Sequence, residues 1–170
     1  MKNVKYSAAS FVLLSATISH AQEYIGASVG QSDIDISGFD DGTSIAVIGG
    51  YKFIENFALE ASYINLGDSE DNQPPVWTIE VDGINFSAVG IIPVNEQIDL
   101  FAKVGLFVWD ASLNEAGYGE IGIDEGSDIS LGFGAAVNLT EQFGLLIEYQ
   151  KFELDEVDVS NISIAARLYF

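Results

Sequence analysis

The sequence predicts an all-β protein, an eight-stranded antiparallel up-and-down transmembrane β-barrel. Three observations predict it. Apolar residues recur at every second position over stretches longer than the usual soluble strand of about five or six residues. The connections between these stretches alternate between tight turns and longer acidic segments, the asymmetry of a barrel with short periplasmic turns and longer extracellular loops. The strand centres are also nearly free of charge, although the chain of 170 residues holds 26 Asp and Glu against six Lys and Arg, a net charge of −20.

The first element is a targeting segment. Met1 to Lys5 is a short basic head, Tyr6 to Ile18 is uncharged with an apolar centre at Phe11 to Leu14, and Ser19-His20-Ala21 supplies small residues at a cleavage site. This is the three-part pattern of a secretory signal. Its apolar core is shorter than the roughly 20 residues of a membrane helix. The expected division is a signal peptide over 1–21 and a barrel domain over 22–170. Cleavage removes Lys2, Lys5 and His20, so the mature chain carries −22 and has neither His nor Cys.

Strands follow near 23–31, 43–53, 57–67, 81–94, 98–110, 128–139, 143–152 and 159–170. The alternation is strict in three of them. Leu100, Ala102, Val104, Leu106 and Val108 interleave with Phe101, Lys103, Gly105 and Phe107. Ile129, Leu131, Phe133, Ala135 and Val137 interleave with Ser130, Gly132, Gly134 and Ala136. Ile162, Ile164, Ala166, Leu168 and Phe170 close the chain against Ser163, Ala165, Arg167 and Tyr169. Several strands match the roughly 9–11 residues that a tilted strand needs to cross a bilayer. Tight turns are expected at 54–57, 95–97 and 140–142, and loops at 32–42, 68–80, 111–127 and 153–158. An even strand number allows closure, which leaves no unpaired edge in lipid.

A soluble barrel of the lipocalin kind is the structural rival, apolar inside and wet outside. Charge placement decides between them. The strand centres carry only Lys52, Glu60, Lys103, Glu148 and Arg167, all on the less apolar face, which is otherwise rich in Gly, Ser and Ala. A water-facing wall would carry many more charges, whereas small residues suit a narrow interior.

Several segments resemble the transmembrane domain of the OmpA-like outer-membrane proteins. They are Tyr24-Ile-Gly-Ala-Ser-Val-Gly30, Gly49-Gly-Tyr-Lys-Phe53, Leu59-Glu-Ala-Ser-Tyr63, Val108-Trp-Asp110 and Ile147-Glu-Tyr-Gln150. The terminal Arg167-Leu-Tyr-Phe170 resembles the family's aromatic assembly signal. The resemblance implies an outer-membrane location beside lipid and lipopolysaccharide, and assembly through Tyr169 and Phe170 by the barrel-assembly machinery. It also implies a monomer without cofactor, in which inward Glu, Lys and Arg block or gate the lumen. Many members continue into a peptidoglycan-binding domain, an activity not expected of these residues.

Glu60, Lys103, Glu148 and Arg167 fall on the inward face at comparable depth. Two acids and two bases in a lumen just wide enough for side chains must pair, because a buried charge is tolerated only when partnered. A plug follows, or a gate for small ions. Asp33 and Asp35 begin a calcium-loop pattern, but Ser44 stands where its bidentate Glu belongs. Asp124, Glu125 and Asp128 form a second acidic group, so the loops are expected to attract Ca²⁺ or Mg²⁺ loosely. Gly132-Phe-Gly134 lacks the third Gly of a dinucleotide fingerprint and reads as lumen packing. Nucleic acid is excluded by the acidic balance. Lipid A deacylation and omptin-like proteolysis both rely on a histidine that the mature chain lacks, so no enzyme is expected. What remains is an outer-membrane barrel with a structural or surface-interaction role and at most a narrow gated pore. The alternative is an adhesin or a cation- or ligand-binding barrel acting through acidic extracellular loops.

Overall fold

The computed structural model describes residues 22–34, 41–70, 77–115, 119–154 and 157–170. The predicted signal over 1–21 and Asp35 lie outside them. Eight strands form one closed antiparallel barrel in chain order. They are β1 (Gln22–Ile34), β2 (Gly42–Ile54), β3 (Phe57–Glu70), β4 (Trp77–Pro93), β5 (Ile98–Glu115), β6 (Gly119–Asn138), β7 (Phe143–Leu154) and β8 (Val157–Tyr169). The seam joins β1 to β8 from Tyr24 opposite Tyr169 to Ile34 opposite Val159.

Period two divides the side chains cleanly. Val104 is 55% exposed and Ile164 61%, whereas Phe107, of opposite parity to Val104 on β5, is fully buried. The wall is therefore apolar outside and mixed inside, the reverse of a lipocalin. Its short turns are held by side chains. Asn95 Oδ1 accepts hydrogen bonds from the backbone N–H groups of Gln97 and Ile98, both at 2.9 Å. Thr140 Oγ1 accepts from Phe143 N at 3.0 Å. These Asn and Thr turns satisfy backbone donors at the end where no partner strand reaches them. Both ends of the barrel lie at this short-turn rim, the side that faces the periplasm in outer-membrane barrels.

The opposite end differs from the expectation. The segments 68–80 and 111–127 are not long loops. β4, β5 and β6 run for 17, 18 and 20 residues, well beyond the roughly 9–11 needed to cross lipid. Only 71–76 and 116–118 separate β3–β4 and β5–β6, and 155–156 separates β7–β8. Acids such as Glu80, Asp124, Glu125 and Glu153 consequently sit on strands. The physical reason is that the apolar/polar period marks contact with lipid. The hydrogen-bond ladder needs no lipid and continues into water after the period fades.

β3 to β6 thus extend together as a four-stranded sheet beyond the rest of the barrel. β2 pairs with β3 only up to Asn65, and β7 meets β6 only from Ser130. Gly67 marks the point of departure. It has φ +82°, lies in a register shift between Asn65 and Asp68, and donates its N–H to Asn65 Oδ1 at 2.8 Å. A bulge with left-handed glycine bends a strand and increases its twist.

Val104 lies midway along the outward row of β5. Val104→Arg should cost about 2–4 kcal/mol, and Val104→Leu almost nothing. Urea unfolding in phospholipid vesicles measures both. Equal stability of the two variants would mean that this face does not meet hydrocarbon.

Candidate functional site: the charged lumen

The lumen is layered. Nearest the periplasm an open vestibule of about 610 Å³ reaches inward to Tyr24, Phe101 and Arg167. Around its inner end Ile48, Ala58, Val89, Ala136, Leu146 and Ala165 form one apolar cluster. A polar belt begins among these residues, where Arg167 also lines the vestibule, and a second apolar cluster fills the extracellular half. Each layer follows from the inward parity of the strands.

The belt contains the four charged residues, all nine-tenths or more buried. Glu60 comes from β3, Lys103 from β5, Glu148 from β7 and Arg167 from β8. Lys103 Nζ donates to Glu60 Oε1 and, at 2.8 Å, to Glu148 Oε2. Arg167 Nη2 donates to Glu60 Oε2 at 2.6 Å. Tyr24 Oη donates to that same oxygen at 2.9 Å. Glu60 therefore serves both cations, while Glu148 is held by Lys103. The Arg167 guanidinium lies 4.6 Å from the Tyr24 ring centre and 5.7 Å from that of Phe101, a stacking geometry available to Arg and attractive at this distance.

Two buried atoms among the described residues lack a hydrogen-bond partner, Glu148 Oε1 and Arg167 Nε. A Cβ on Gly132 would come to 3.1 Å from Glu148 Oε1, so that glycine makes room for the carboxylate. Beside it an enclosed space of about 10 Å³ is lined by Ser28, Ser44, Gln150, Asn161 and Ser163. Such a space is of the order of one water molecule.

The second apolar cluster was missed in the sequence reading. Phe107 and Phe152 are fully buried with ring centres 4.5 Å apart. Trp109 packs beside them, and its Nε1 donates to Asp128 Oδ2 at 2.7 Å. The signal was present: Phe107 and Trp109 share the parity of Lys103, and Phe152 that of Glu148. Tyr24 was missed for the same reason, opposing Ile25 in parity.

The metal candidates do not converge. Asp128 turns inward to Trp109, whereas Glu125 is exposed with the opposite parity. Asp33 lies within strand β1, opposite Ser160, and so cannot open a calcium loop. Among the described residues no group of three or more His, Asp or Glu is placed to hold a metal ion.

On the outer face the register lines acids up. Asp82 stands opposite Asp110, and Asp110 opposite Glu125, on β4, β5 and β6. Tyr63 Oη donates to Asp82 Oδ2 at 2.8 Å. Like charges directly opposite one another repel, which a wet, screened surface tolerates.

Comparison with known proteins agrees with this architecture. Residues 6–170 match the outer membrane protein beta-barrel domain family. The chain belongs to that family. It is an integral protein of the outer membrane, crossing it with its eight strands. Among solved structures it is similar to Ail, the attachment invasion locus protein of Yersinia pestis, in complex with the heparin analogue sucrose octasulfate. That match has TM-score 0.67 and 16% identity, and covers 89% of this chain and 99% of that one. Neisserial surface protein A gives TM-score 0.66 and 17% identity, covering 88% and 97%. The N-terminal β-barrel domain of Pseudomonas aeruginosa OprF gives 0.60 and 12%, covering 89% and 100%. At these identities the likeness is one of fold. No curated protein sequence matches the chain.

Glu60→Gln removes the carboxylate that serves both cations and leaves Arg167 without its anion. A stranded buried charge costs about 3–5 kcal/mol. Glu148→Gln should cost less, because Lys103 keeps Glu60. Urea unfolding of the two variants reads the difference, and equal or reversed losses would contradict the shared role of Glu60.

Proposed function

We propose that the protein is a structural and surface-interaction barrel, closed to solutes, that meets cationic partners through the acidic sheet it raises above the membrane. The extension of β3–β6 carries this reading, because a barrel needs no such sheet to cross lipid. Its outer face presents Asp82, Asp110 and Glu125 in one row. Ail has been solved with a heparin analogue, but an acidic face disfavours a polyanion. A basic peptide or protein surface suits it instead, and electrostatic attraction of this kind sets association rate and salt dependence. Divalent cations screen the same face loosely where it approaches lipopolysaccharide phosphates.

The four lumen charges satisfy one another, which supports a plug and not an active site. Two barriers lie in series, the charged belt and the aromatic cluster, so removing charge alone should not open a pore. In planar bilayers, Glu60→Gln should stay silent, whereas Glu60→Gln with Phe107→Ala and Phe152→Ala should conduct. Conductance from the single variant would make the belt the only barrier. We further read 1–21 as a cleaved signal, and the exposed terminal Phe170 as the contact for the barrel-assembly machinery.

The surface reading is tested with barrels in nanodiscs. Polylysine should bind with an affinity that falls steeply with salt, heparin should not bind, and Asp82→Asn/Asp110→Asn/Glu125→Gln should weaken polylysine several-fold. Heparin binding, or an unchanged triple variant, would overturn it.

A further inference from the structure

The lipid-facing wall is unevenly filled. On β2, β3 and β4 the outward residues Gly49, Ala61 and Ala88 are small, and a depression of about 530 Å³ opens over them. Tyr51, Leu59 and Phe86 stand around it. Gly49 lies opposite Ala61, and Leu59 opposite Ala88, so the small residues step diagonally across three strands. No heavy atom lies within 4 Å of the point a Cβ on Gly49 would occupy. The next residue, Gly50, turns inward, and the Tyr24 ring takes the space of its missing side chain. The depression is thus backed by Tyr24 and its hydrogen bond to Glu60, and is a notch in the wall, not an opening. At its lower end it reaches Glu23 and the exposed Phe170 at the short-turn rim.

We propose that this notch seats one acyl chain of a phospholipid in the periplasmic leaflet. The proposal rests on the outer-membrane assignment, which makes hydrocarbon the medium at this depth. An unfilled hollow there would forfeit dispersion contacts along its whole lining. A flexible, unbranched chain can follow an irregular groove, whereas a second barrel is rigid and is held off by the exposed Phe86 at its edge. A stable protein interface also needs about 800 Å² from each partner, far more than a local notch provides. Where large side chains face each other across strands, as Ile147 does Ile164, the wall is filled by the protein itself, so lipids there exchange freely while this one stays.

The experiment uses the mature barrel reconstituted in vesicles of phosphatidylethanolamine and phosphatidylglycerol, extracted gently and examined by native mass spectrometry. The wild type should retain one phospholipid. Gly49→Leu/Ala61→Leu fills the notch and should lower retention at least fivefold, while Ile147→Phe, on the wall of large side chains where Ile147 stands opposite Ile164, should keep it. Gly49→Leu alone places its side chain in open space and serves where the double variant folds poorly. A wild type that inserts but retains no lipid, or a filled variant that retains it fully, overturns the seat alone. A dimer that disappears on filling overturns it in favour of a second copy. Failure to insert at all overturns the membrane assignment with it.

Discussion

Inside hydrocarbon an unpaired backbone N–H or C=O finds no water, and each one costs several kcal/mol. The β1–β8 seam meets that constraint by leaving no edge at membrane depth. Most other features follow from it. Closure with eight strands fixes a lumen about as wide as the side chains that fill it. Period two then sends half of every strand into that space. Whatever stands there must pack or pair, which is why Gly, Ser and Ala are frequent there and why Glu60, Lys103, Glu148 and Arg167 face one another.

Above the membrane the constraint relaxes, and the sheet behaves differently. Water can satisfy an edge, so β3–β6 continue without β2 and β7 beside them. The outward positions no longer need to be apolar, and acids replace Ile and Val on the same ladder. The inward positions keep packing: Phe107, Trp109 and Phe152 fill the extracellular half of the lumen. One barrel thus has an acidic exterior above a greasy one, and an apolar seal above a charged belt.

This explains what could be read from the chain and what could not. Alternation at Leu100–Val108 and Ile162–Phe170 reveals strands, because lipid outside and a crowded lumen inside impose opposite demands on neighbours. Parity likewise puts Glu60, Lys103, Glu148 and Arg167 on the inward face. Which carboxylate serves two cations is not readable, since it depends on the stagger that brings β8 level with β3. The ends of the strands are hidden because Glu80, Asp124 and Glu125 look like loop residues once lipid no longer sorts them. Asp128 shows the same limit: in sequence it belongs to an acidic cluster, in space to Trp109.

The ion network also bears on how the barrel is made. Its members come from β3, β5, β7 and β8, so no hairpin contains a complete pair. In an open sheet Glu60 on β3 and Arg167 on β8 lie five strands apart, each still wrapped in water. They shed that water only when β8 swings round to meet β1, and the hydrogen bonds of the seam and the ion pairs of the belt then form in one event. The Glu60–Arg167 pair thereby ties the charged belt to the closing of the seam.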